Sequence, residues 1–193
     1  MIFNRYKKLI LVSILICFML PHKTIAEYNG NIPPGVGQDS EAARAQSVEI
    51  ASKVFIIISE IYKNLGELEK SNHQEDKING LLVRDGNILK EMSSQYSGIN
   101  LKNGEVDVGR AASRLPGLER YLEFNKISLD SLKNVKGVQA MYANEIATFG
   151  SSLAAIKFGD PNQNRNMASS LYSAIDRMVF MGLVASELYR AAE

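Results

Sequence analysis

Val48, Ala51, Phe55, Ile58, Tyr62 and Leu65 recur at intervals of three and four residues, which places them on one face of an α-helix. Ile56, Ile57 and Ile61 widen that stripe beyond a strict coiled-coil seam. A helix apolar over so much of its circumference needs more than one neighbour, and this constrains the rest of the chain. Helix one is expected from about Ser40 to Lys70, with Asp39 or Ser40 as its cap.

"SNHQEDK" (Ser71 to Lys77) breaks the period, and Asn72 with Glu75 resembles a capping box. Helix two then runs to about Tyr96, with Ile78, Leu81, Leu82, Asp85, Ile88, Leu89, Met92 and Tyr96 on its face and Gly98 as its stop. After Pro116-Gly117, apolar residues from Leu118 to Ile156 keep a helical period with small slips, and predict helix three. Gly137 and Gly150 within it mark a bend or a close helix contact. Gly159, Asp160 and Pro161 then read as stop, cap and first residue of helix four, which continues to near Ala192. Short connections make neighbours antiparallel. The expected fold is mainly α: an up-and-down antiparallel four-helix bundle, one domain over residues 40–193.

Between helices two and three stands "INLKNGEVDV". Ile99 and Leu101 alternate with polar residues up to Asn103-Gly104, and Val106 and Val108 alternate after it. Asn-Gly suits the two positive-φ positions of a type I′ turn, so a short β-hairpin is expected over about 99–108. In that register Leu101 faces Val106 and Ile99 faces Val108. One apolar face results, which covers the bundle or meets a partner.

The amino terminus predicts an address. Arg5, Lys7 and Lys8 precede twelve apolar or near-apolar residues, Leu9 to Leu20; Pro21 breaks the run, and small residues precede a cut after Ala26. That order describes a secretory signal peptide, and twelve residues fall short of the roughly 20 that cross a bilayer as a helix. A lipidated Cys17 and an uncleaved anchor are the other readings of this segment. Glu27 to about residue 39 holds Pro33-Pro34 and three glycines and reads as an extended leader, or as a docking arm.

Removing residues 1–26 takes four of the 22 basic residues and none of the 21 acids, leaving 18 against 21. A balance of −3 lacks the footprint of a nucleic-acid binder. The same cut removes Cys17 and His22, so His73 is the sole histidine and no cysteine remains. Such a chain in an oxidising compartment stabilises itself by its core alone. No second apolar stretch is long enough to span a membrane; the longest, Met178 to Ala185, reads as core.

Reactive constellations are scarce. A Ser-His-Asp triad would have to use His73, which lies in a charged connection, and no Gly-x-Ser-x-Gly precedes it. There is no Cys-x-x-Cys-His for haem and no Glu-x-x-His for a dimetal site. Glu69, His73, Glu75 and Asp76 read as solvated charges and only loosely resemble a divalent-cation site. No cofactor is expected. Asp85, inside the helix-two stripe, is a candidate buried charge, with Arg177 or another cation as its partner.

Two functions remain in view. The first is an exported, non-enzymatic helical protein, periplasmic or secreted, that works through protein–protein contacts in a bacterial envelope or secretion assembly. It predicts a filled core and an apolar patch outside. The alternative is a periplasmic bundle that binds or senses a small ligand near Phe55, Tyr142, Met178 and Gly182, which predicts a cavity between helices.

Overall fold

The computed structural model describes residues 38–68 and 75–192. The expected signal peptide, the Pro/Gly leader, His73 and the Asn72 cap lie outside the described residues. Within them the chain is mainly helical, with six α-helices: α1 (Gln38–Leu68), α2 (Glu75–Ser97), α3 (Val108–Arg114), α4 (Leu118–Phe124), α5 (Val135–Ala155) and α6 (Pro161–Arg190). A short 3-10 turn, Leu129–Leu132, precedes α5. No helix among the described residues is long and apolar enough to cross a membrane.

The apolar stripes meet along the four long helices. α1 packs on α2 and α6, α2 packs most extensively on α5, and α5 packs on α6. Specific pairs give the directions. Asn79 on α2 clasps the backbone of Phe158, just past α5, while Ser93 near the other end of α2 donates to the Ala143 carbonyl at 2.6 Å. α2 and α5 therefore run antiparallel. Tyr62 meets Tyr172 edge to face, and Phe55 lies over Gly182, so α1 and α6 run antiparallel too.

The α2–α5 seam is set by glycine. A Cβ on Gly86 would stand 2.5 Å from the Gly150 carbonyl oxygen, and one on Gly150 would stand 2.6 Å from the Gly86 carbonyl oxygen. The two backbones touch, and neighbouring Leu89 and Leu153 are buried. Such seams close only where both helices omit a side chain at the same height.

The expected β-hairpin is not formed: no strand occurs among the described residues. Neither Asn103 nor Gly104 has the positive φ that a type I′ turn demands. The segment spends its hydrogen-bonding groups on α5 instead. Its Gly104 carbonyl accepts from the Val135 amide at 3.0 Å, and Asn103 Oδ1 accepts from the Lys136 amide at 3.2 Å. Asn134, the N-cap, accepts from the Gly137 amide at 2.9 Å. The first amides of α5, which no helical carbonyl can reach, are thus satisfied from outside the helix. Ile99, Leu101 and Val106 are buried, so the apolar face covers the core, and Val108 opens α3 with Asp107 as its cap. One isolated antiparallel bridge, Glu105 with Asn134, is all that remains of sheet pairing there.

Helix three of the sequence reading is also corrected, into α4, the 3-10 turn and α5. α4 ends in a Schellman motif without glycine: Lys126 takes φ 58°, its amide donates to the Glu123 carbonyl, and the Ile127 amide donates to the Leu122 carbonyl. Nothing in Asn125-Lys126 advertises that stop, since glycine is the residue that usually takes this conformation.

Candidate interaction surface

The residues singled out in the sequence fall into three places. Ile99, Leu101, Asn103, Gly104, Val106 and Val108 line the connector between α2 and α3 described above. Their apolar members face inward, and Asn103 caps α5. Gln139, a buried residue on α5, ties the start of this connector down by donating to the Tyr96 and Ile99 carbonyls, both at 2.8 Å. No periodic pattern flags Gln139, because its value lies in reaching carbonyls some forty residues away.

Asp85 and Arg177 each have a partner other than the other. Asp85 is 1% exposed and accepts from the Nε of its neighbour Arg84 at 2.8 Å. Its second oxygen, Oδ2, has no hydrogen-bond partner among the described residues. Arg177 keeps 43% of its side chain exposed and grips buried Glu145 on α5 through two hydrogen bonds, at 2.8 and 2.7 Å. This bidentate bond, and with it the nearby carboxylate, holds the guanidinium above its usual range. Glu145 escaped the sequence reading because one acid on a helix face looks like solvated surface until its neighbours are known.

Phe55 and Tyr142 converge on Gly182, one helical turn beyond Met178. The convergence is filled: the Phe55 ring occupies the space where Gly182 has no side chain, with its Cζ 2.8 Å from a Cβ built there. Met178 and Tyr142 are buried, and Tyr142 packs edge to face on Tyr96. The Tyr96 hydroxyl lies 3.0 Å from that of Tyr189. Burial pushes Tyr96 up to about 12 and raises Tyr189 as well.

The outside of the molecule presents a different feature on α4. Leu118 and Leu122, four apart, point into the core and hold the short helix down. Tyr121 lies at the edge, its ring centroid 4.2 Å from that of Phe180. Burial raises the pKa of its hydroxyl, against the opposing pull of Arg177 and Asn125 nearby. Phe124, one turn on, is 83% exposed. Beside it is an open depression of about 540 Å³, lined by Gly117, Arg120, Tyr121, Glu123 and Phe124. Gly117 caps α4 at φ 88°, a left-handed conformation suited to glycine, and a Cβ there would meet nothing within 4 Å.

Phe124 is the most exposed of the large hydrophobic side chains among the described residues, ahead of Ile56, Val83 and Leu129. Among the described residues no three His, Cys, Asp or Glu side chains gather as a metal site would require. Compared with protein-family models, curated proteins and solved structures, the chain matches none of them.

Proposed function

We propose that this chain is an exported, non-enzymatic helical protein that acts through protein–protein contacts, as an accessory part of a bacterial envelope or secretion assembly. Phe124, 83% exposed beside the α4 depression, carries the reading. Exposed aromatic side chains next to a shallow hollow supply the anchors of protein interfaces, where Tyr, Trp and Phe dominate the energy. The four long helices are read as an up-and-down antiparallel bundle whose work is to hold this surface rigid. The antiparallel α2–α5 and α1–α6 pairs support that reading.

The internal polar groups also favour a scaffold. Ser93 is tied to Ala143, Gln139 to Tyr96 and Ile99, and Glu145 to Arg177. Each of these bonds joins one part of the fold to another. The small-ligand alternative draws less support, because the Phe55 ring stands where its cavity was expected. Export rests on the basic, apolar and small-residue order of residues 5–26. Amino-terminal sequencing of the recovered protein checks it: a chain starting at Glu27 is expected, and a cytosolic chain retaining residues 1–26 overturns it.

A photocrosslinking residue at position 124, compared with one at exposed Lys90 on α2, tests the contact reading in the cells that make the protein. A discrete product from 124 that is absent from 90 is expected. No product from either site, or the same diffuse products from both, overturns it.

A further inference from the structure

We propose that Asn103 is a site of spontaneous deamidation, and that its iso-aspartyl product releases the connector between α2 and α3 from the first turn of α5.

Asn103-Gly104 stands out in the sequence as a turn pair, and the turn is not formed. The fold leaves instead an exposed asparagine followed by glycine in irregular backbone. Asparagine is among the thermally labile residues, because its side-chain amide carbon lies within reach of the next backbone nitrogen. Glycine at that next position puts no Cβ in the way. In the reaction the Gly104 nitrogen bonds to Cγ of Asn103 and the Cγ–Nδ2 bond breaks. Nδ2 leaves as ammonia with the proton that the backbone nitrogen gives up, and a cyclic imide remains. Water then opens the imide at Cγ, giving aspartate, or at the backbone carbonyl carbon, giving iso-aspartate with the main chain rerouted through Cγ. No oxidant or reductant takes part.

Three features of the structure favour this step at Asn103. The Gly104 amide donates no hydrogen bond among the described residues, so the attacking nitrogen has none to give up. A Cβ built on Gly104 would meet nothing within 4 Å, so the approach is unobstructed. Asn103 Oδ1 accepts from the Lys136 amide at 3.2 Å, and negative charge gathers on that oxygen as the nitrogen attacks. A backbone N–H in the first turn of a helix, at the positive end of the dipole, stabilises such charge.

Asn79-Gly80 provides the contrast. Both ends of the Asn79 amide are tied to Phe158, Oδ1 accepting at 2.8 Å and Nδ2 donating at 2.7 Å. Gly80 lies inside α2, where its amide is committed to the carbonyl four residues back. A further pair, Asn29-Gly30, lies outside the described residues.

The two products differ in what they do to the fold. Aspartate at 103 still accepts from the Lys136 amide, and its charge suits a helix N-terminus. Iso-aspartate adds one backbone atom ahead of Gly104. The Gly104 carbonyl then loses its register with the Val135 amide, which donates to it at 3.0 Å.

The purified protein, held warm in mildly alkaline buffer and mapped by peptide mass spectrometry, tests this. Asn103 is expected to convert at least about tenfold faster than Asn79, the factor for roughly one hydrogen bond that α2 must give up. In urea, which removes the fold, the two sites converge. Gly104→Ala, which the open space around Gly104 admits, slows conversion at 103 several-fold while helical circular dichroism stays at the parent value. In the separated iso-aspartyl form, the Val135 and Lys136 amides exchange at least about tenfold faster than in the parent, while those of Leu89 and Leu153 keep the parent rates. Conversion at 103 no faster than at 79 in the folded protein overturns the site, and so does a Gly104→Ala chain that converts as fast as the parent. Parent exchange rates at Val135 and Lys136 in the iso-aspartyl form overturn its consequence.

Discussion

Along the α2–α5 seam, Gly86 and Gly150 bring two backbones so close that a Cβ on Gly86 would stand 2.5 Å from the Gly150 carbonyl oxygen; at the head of α4, a Cβ on Gly117 would meet nothing within 4 Å. The same residue type is used for opposite ends. In the seam its missing side chain is filled by another helix, and at the head of α4 the space is open. The seam is where the fold is specified. α4 is held by buried Leu118 and Leu122 and by the Tyr121 ring on Phe180, and turns its remaining face to solvent.

The strongest attempt to break the contrast is Gly86→Val, which overpacks the seam against backbone that cannot swing aside. Destabilisation at the upper end of about 1–3 kcal/mol is expected by urea titration. Gly80→Ala, on the exposed side of the same helix with nothing within 4 Å, should instead stabilise by about 1 kcal/mol, the ordinary preference of a helix for Ala. Equal effects at both positions would remove the special role of the seam.

Gln139→Leu comes next. It removes the 2.8 Å hydrogen bonds that the Tyr96 and Ile99 carbonyls accept from Gln139 and should cost about 2 kcal/mol, roughly 1 for each bond lost. Amide exchange in 99–107 should rise beyond that global loss, because the connector is freed first.

Alkaline titration is the third. Tyrosine ionises at 10.0 unperturbed, whereas burial holds Tyr96 up to about 12 and raises Tyr189. Between those values the unfolded chain releases protons that the folded chain keeps. Stability is therefore intact below about pH 10 and falls as pH rises through 12, by about 1 kcal/mol near pH 11 from Tyr96 alone. Thermal melts at pH 8 to 11.5 should show this slope, and the Tyr96→Phe, Tyr189→Phe variant should flatten it.

The smallest effect belongs to the α4 surface. Phe124→Ala should leave monomer stability within about 0.5 kcal/mol, as for an exposed side chain away from structural features. A larger loss would mean that Phe124 packs on its own molecule, and the contrast with the seam would disappear.

The helical character of the chain was legible because apolar spacing is a local property. α1 carries the Val48 to Leu65 stripe, and α6 begins at Pro161, whose missing amide suits a first helical position. The failures also have a local cause. Asn103-Gly104 has the composition of a hairpin turn, but the unsatisfied amides at the start of α5 drew both residues elsewhere. The stop after α4 falls on Lys126, where no glycine announces a left-handed residue. The α4 surface was missed altogether, because an apolar residue at helical spacing looks the same whether the fold covers it or leaves it bare.

By itself, then, the amino-acid sequence determined that this chain is mainly helical and which stripes would seek cover, since period and capping act over a few residues. Tertiary structure alone decided that Gly86 meets Gly150, that Glu145 and not Asp85 receives Arg177, and that Phe124 stays in water. Each of those outcomes depends on groups far apart in the chain, brought together only when the helices pack.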